Sequence, residues 1–115
     1  MIKDALQACM DSHLAHAAVV FRLDDKLGTH HGLSWADFVL LTALDAASDG
    51  TPAMDLARSL CMPPSQLLLQ LLPLEKIGLV ERVADSHGKR RVQLRPQGRR
   101  LLHEARETAE SACAC

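Results

Sequence analysis

Tyrosine is absent from this sequence, and the only other aromatic rings besides histidine belong to Trp35, Phe21 and Phe38. So few rings cannot fill a core. The 48% of apolar residues must do so mainly as Leu, Ala, Val and Met, a set that favours helices over a sandwich of sheets. No stretch approaches the roughly 20 apolar residues of a membrane span, so no membrane partner is expected. A surplus of charge is missing too. The formal net charge of −1 gives no global attraction to polyphosphate, so any nucleic-acid contact must come from a local cluster of cations. There is no glycine-rich phosphate loop, no nucleophile elbow and no pair of carboxylates in apolar surroundings, so catalysis is not expected.

Other features bound the answer further. At 115 residues one core suffices, burying roughly two-thirds of the surface that the unfolded chain exposes. Asp4 and Asp11 interrupt the start, where a secretory leader needs basic and then apolar residues. The expected address is cytoplasmic. There Cys9, Cys61, Cys113 and Cys115 are expected as thiols rather than as a disulfide framework.

Along the chain, Leu6, Met10, Leu14, Ala17 and Phe21 recur at steps of three and four, which gathers them on one stripe of a helix from Ile2 to about Leu27. The run Gly28–Gly32 then breaks the pattern. Ser34 with Asp37 has the form of a capping box, opening a second helix from about Trp35 to Ala47. Thr51-Pro52 reads as an N-cap followed by proline at the first helical position, opening a short third helix to about Leu60. Cys61-Met62-Pro63-Pro64 punctuates the chain, and Cys61 reads most simply as a core filler. A fourth helix follows from about Pro64 to Ile77, with Leu67, Leu71 and Leu74 facing inward, Pro73 as a point of kinking, and Gly78 as a left-handed cap. The third and fourth helices form a helix-turn-helix. Leu79–Val83 and Arg91–Leu94 alternate as two strands of a hairpin with a basic tip, and Pro96 starts a last helix that tails off from Ala109 without a clear cap.

This order of elements resembles the MarR family of winged-helix transcriptional regulators, as do several local words. Gly32-Leu33-Ser34 with Phe38 and Leu41 looks like the approach to the family's second helix. The run from Leu74 to Arg82 looks like its junction into the wing, and Leu94 with Gly98 like the wing's exit. The match covers about residues 28 to 102. The resemblance implies a mainly α fold with a small β-hairpin wing, arranged as one winged-helix domain over residues 1–115. Residues 1–27 would be an N-terminal dimerisation helix, 28–95 the winged helix-turn-helix core, and 96–115 a C-terminal dimerisation helix and tail. One C-terminal helix stands where most members have two, so a short member with a smaller dimer layer is expected.

The implied function is that of a homodimeric, sequence-specific DNA-binding regulator, a repressor, whose effector would be a small molecule, a metal or an oxidant. Its partner is double-stranded DNA. Ser65, Gln66 and Gln70 would face the major groove from the fourth helix, where glutamine suits an adenine edge and serine a base or phosphate. His87, Lys89, Arg90 and Arg91 crowd the wing, and the negative potential of the minor groove attracts inserted arginine. A second reading also stands. Leu68, Leu69 and Leu72 on the outward side would suit a winged-helix module that has lost base readout and binds a protein.

Cys9, His13 and His16 follow i, i+4, i+7 spacing on the first helix. A thiol and two imidazoles on one face suit a soft or borderline metal, with Cys113 or Cys115 of an interlaced partner completing the set. Alternatively, Cys9, Cys113 and Cys115 would be redox thiols. That version resembles the hydroperoxide sensors of the MarR group, which place tyrosines beside the reactive thiol. In a third reading Cys9 packs as a small apolar residue and the histidines lie at the surface.

Overall fold

A computed structural model describes residues 2–114. The elements run α1 (Ile2–His31), α2 (Trp35–Asp45), β1 (Thr51–Pro52), α3 (Ala53–Ser59), α4 (Pro64–Lys76), β2 (Val80–Ala84), β3 (Arg90–Leu94) and α5 (Pro96–Ala114). The mainly helical fold with a hairpin wing stands as expected, with one strand more than the hairpin itself. The chain divides into two compact units, Met1–Trp35 with Ala105–Cys115, and Ala36–Glu104.

In the first unit α1 is longer than its sequence suggests. Gly28 is absorbed as a helical residue, and the helix stops only at Gly32, whose φ of 68° is a conformation that glycine adopts without steric cost. Leu23, Leu27 and Leu33 are buried, and so are Ala105, Ala109 and Ala112 on one stripe of α5. Their burial outweighs the ~1 kcal/mol that a helical glycine costs relative to alanine. A 2.8 Å hydrogen bond joins the His31 ring to the Thr108 hydroxyl. The N–H of Trp35 donates to Asp24 Oδ1 at 2.7 Å, so a carboxylate eleven residues earlier satisfies the first amide of α2. Helix α5 keeps its form to Ala114.

The second unit contains the helix-turn-helix and the wing. Phe38, Leu40, Leu41, Leu44, Leu56, Leu67, Leu71, Leu74, Leu79, Val80, Val92 and Leu102 are its larger buried side chains. The strands form one antiparallel sheet in the order β1-β3-β2. Thr51-Pro52 is therefore not a helix cap: it pairs with Val92 and Arg91 of β3, and α3 starts one residue later without a side-chain cap. The inward stripe of α4 is as expected. Pro73 does not end that helix, which continues to Lys76.

Candidate nucleic-acid interface

The turn between α3 and α4 is set by backbone hydrogen bonds. Met62 N–H reaches back to Ala57 O at 3.0 Å and Cys61 N–H to Arg58 O at 3.1 Å, the paired closure of a Schellman cap. Cys61 occupies the left-handed position at φ 55°, where glycine is usual, and its side chain is exposed. The core-filler reading of Cys61 is therefore wrong, because the turn geometry directs this residue outward. The far end of α4 closes in the same way, with Leu79 N–H to Leu74 O at 3.0 Å and Gly78 N–H to Glu75 O at 3.1 Å. Here the left-handed residue is the glycine that the sequence suggested, Gly78 at φ 85°.

From this cap the chain passes directly into β2, and an ion pair locks the junction. Arg82 donates to the Glu75 carboxylate from Nε and Nη2. These hydrogen bonds hold the Glu75 carboxyl below its ordinary range against the opposing effect of burial, and the charge of Arg90 adds to the shift. The wing tip is equally ordered. Asp85 N–H donates to Lys89 O at 2.8 Å and Gly88 N–H to Asp85 O at 3.0 Å, while Asp85 Oδ1 accepts the amides of His87 and Lys89. This is a tight turn closed by a left-handed glycine, Gly88 at φ 77°. Asp85 is thereby occupied inside the turn.

Ser65 and Gln66 are exposed in the first turn of α4, and His87, Lys89 and Arg90 are exposed on the wing. An open cleft of about 770 Å³ lies between Pro52, Ala53, Met54 and Asp55 on one side and Asp85, His87, Lys89, Arg90 and Arg91 on the other. Arg90 also lines a smaller groove with Met54, Pro64, Leu67, Leu68 and Arg82. The wing arginine and the start of α4 thus share one surface.

Two of the expected contacts are otherwise engaged. Gln70 is half-buried and its Nε2 donates to Asp37 Oδ1 over a long 3.4 Å. Arg91 is half-buried and its Nη2 donates to Gly50 O at 3.1 Å, tying the wing to the turn before β1. Sequence reasoning did not single out Arg82, although Glu75 and Arg82 stand seven residues apart in the run from Leu74 to Arg82. It also missed the anchoring role of Arg91, since nothing local marks Gly50 as its acceptor.

The charges on this face are unevenly paired. Asp55 lies 3.7 Å from Arg58, and Glu75 is held by Arg82. Among the described residues Lys76, Lys89 and Arg90 make no ion pair. The surface therefore offers unneutralised cations beside an exposed helix.

The other expected cluster is not assembled in one chain. Cys9, His13 and His16 are exposed on α1, where Cys9, Met10, His13 and Leu14 line a shallow hollow, and Cys113 is exposed on α5. Among the described residues no group of three or more His, Cys, Asp or Glu side chains is placed to hold a metal. Cys115 lies outside the described residues.

No protein-family model matches the sequence, and no curated protein matches it. Solved structures do match. The transcriptional regulator BldR from Sulfolobus solfataricus is 27% identical and superposes with a TM-score of 0.84, covering 96% of this chain and 79% of its own. A MarR-family regulator from Silicibacter pomeroyi is 27% identical with a TM-score of 0.74, over 91% of this chain and 70% of its own. A MarR-family regulator from Streptomyces coelicolor, solved in complex with DNA, is 22% identical with a TM-score of 0.84, over 92% and 69%. The fold is the winged helix of MarR-type transcriptional regulators.

Proposed function

We propose that this MarR-type winged-helix chain is a sequence-specific DNA-binding transcriptional regulator that acts as a homodimer and represses. The observation that carries the reading is the shared surface of Arg90 and the start of α4, with Ser65 and Gln66 exposed on the helix and Lys89 on the wing. An exposed helix enters the major groove while neighbouring cations meet phosphates and the adjacent minor groove. That division of labour matches the residue types found here. The likeness to a regulator solved with DNA supports it.

The homodimer rests on α1. Leu6, Met10, Leu14 and Phe21 lie on one stripe and are 62%, 52%, 64% and 77% exposed. Four large apolar side chains in a row on a helix call for a partner surface, and a second copy of the same stripe supplies one by twofold symmetry. A dimer would set two copies of α4 in successive major grooves, about one helical turn apart. Bound across a promoter, it would exclude polymerase.

The exposed Leu68, Leu69 and Leu72 favour the rival reading, a winged-helix module that binds protein. Gel shifts with promoter fragments across a salt series separate the two. A specific complex that weakens with salt and on Arg90→Ala supports the regulator. No complex at low salt removes it.

A further inference from the structure

On the outward side of α4 the exposed side chains of the first turns are Ser65, Gln66, Leu68, Leu69 and Leu72, and Gln70 is drawn aside to Asp37. Only two of these five can hydrogen-bond a base. We propose that α4 reads its operator chiefly by apolar contact, with Leu69 seated against the C5 methyl groups of thymines in each half-site. The inference rests on the DNA-binding reading given above and deepens it.

The chemistry of the major groove selects the base. Guanine, cytosine and adenine present hydrogen-bonding groups there, and covering one with a leucine strips its water without giving a partner. Thymine alone adds a methyl group. Leu69 stands three residues after Gln66 and four after Ser65, on the same face of the helix. It is 71% exposed, with Leu68 and Leu72 each 42% exposed beside it. A thymine under Leu69 would leave Gln66 free to take an adenine edge nearby. The occupant is duplex DNA rather than protein because Leu68, next to Leu69 in α4, lines a groove with Arg90, and Lys76, on the stripe of Leu69 and Leu72, makes no ion pair among the described residues, nor do Arg90 and Lys89. A polyanion complements that charge.

The test uses the full chain. Duplexes selected from a random library should carry thymine at a fixed place in each half-site, and those thymines are then replaced by deoxyuridine, which removes only the methyl. Loss of one buried methyl should weaken wild-type binding about fourfold per half-site. Leu69→Ala should bind thymine and deoxyuridine duplexes equally, with an unchanged melting temperature because its side chain is exposed. If specific duplexes are selected but the wild type does not distinguish thymine from deoxyuridine, methyl readout is overturned while DNA binding stands. It is also overturned if Leu69→Ala keeps the full discrimination. Should no duplex be selected at all, the DNA-binding reading itself fails.

Discussion

Arg82 grips Glu75 through two nitrogens, Nε at 3.1 Å and Nη2 at 2.9 Å from Oε1, with its own backbone N–H 3.3 Å from Oε2. The pair joins the last turn of α4 to the first strand of the wing. Both side chains are less than a third exposed, at 26% and 30%, so water competes only partly. Removing the guanidinium with Arg82→Ala should lower the unfolding free energy by about 1–2 kcal/mol. Urea denaturation checks this, and an unchanged midpoint would mean that the pair is already lost to solvent.

The same carboxylate makes stability depend on acid. Glu75 and Asp45 both titrate below their ordinary values of 4.5 and 3.8, Glu75 chiefly through its hydrogen bonds from Arg82 and Asp45 chiefly through its hydrogen bond from Arg99. A depressed value means that the folded state binds the proton less readily than the unfolded chain. The contribution is therefore complete above the ordinary values and is lost as pH falls through the depressed ones. Unfolding free energy measured from about pH 6 down to about pH 3 should decline. Arg82→Ala and Arg99→Ala should each flatten part of that decline.

Gly98 tests the wing's exit. A Cβ there would overlap the carbonyl oxygen of Leu79 and come within 2.7 Å of Leu94 Cδ1. The Leu79 carbonyl cannot easily retreat, since it accepts the Arg95 N–H at 2.9 Å. Gly98→Ala should thus destabilise by about 2–3 kcal/mol, as overpacking does where backbone must move. A melting temperature equal to that of the wild type would contradict this.

Several of these features were visible in the sequence, and the reasons others were not are specific. The stripe of Leu67, Leu71 and Leu74 and the cap at Gly78 are local, written in spacing and in one residue's backbone freedom, and both stand. Gly28 looked like a breaker because local propensity counts against it, yet burial of Leu27 and Leu33 carries α1 past it. Thr51-Pro52 has the local form of a helix start, but its partners Val92 and Arg91 lie some forty residues away, and no local pattern reports such pairing. The candidate contacts divided in the same way. Ser65, Gln66, Lys89 and Arg90 are exposed as read, whereas Gln70 and Arg91 are held by Asp37 and Gly50, acceptors distant in the chain.

Adjacent arginines on β3 should behave differently. Arg90 is exposed and makes no ion pair among the described residues, whereas Arg91 holds Gly50. Arg90→Ala should weaken DNA binding, reduce the slope of log affinity against log salt by about one, and leave thermal unfolding unchanged. Arg91→Ala should instead lower the melting temperature, as the wing loses its tie to the turn before β1. Equal effects of the two substitutions in both assays would refute this division.

The apolar stripe of α1 gives the last prediction. Leu14→Asp places a charge where the proposed dimer buries a leucine, so sedimentation should show the mass of one chain instead of two. The helix-turn-helix belongs to the other compact unit and should keep its signature in circular dichroism. Binding to a twofold site would fall sharply, whereas a dimer that survives the substitution would place the interface elsewhere.

Strand β3 is the middle of its sheet, so Arg91 and Val92 are paired on both sides, while Arg90 has only Ala84 opposite it. The finger therefore has a root held from both sides and an internally ordered tip held from one, so bending of the wing would fall just beyond Arg91 and carry the tip as one piece. In the proposed regulator the root sets the height at which the cations arrive, and the tip follows flanking grooves of unequal width. Tolerance of varied operator borders would then reside in the wing, and intolerance of a changed centre in the helix.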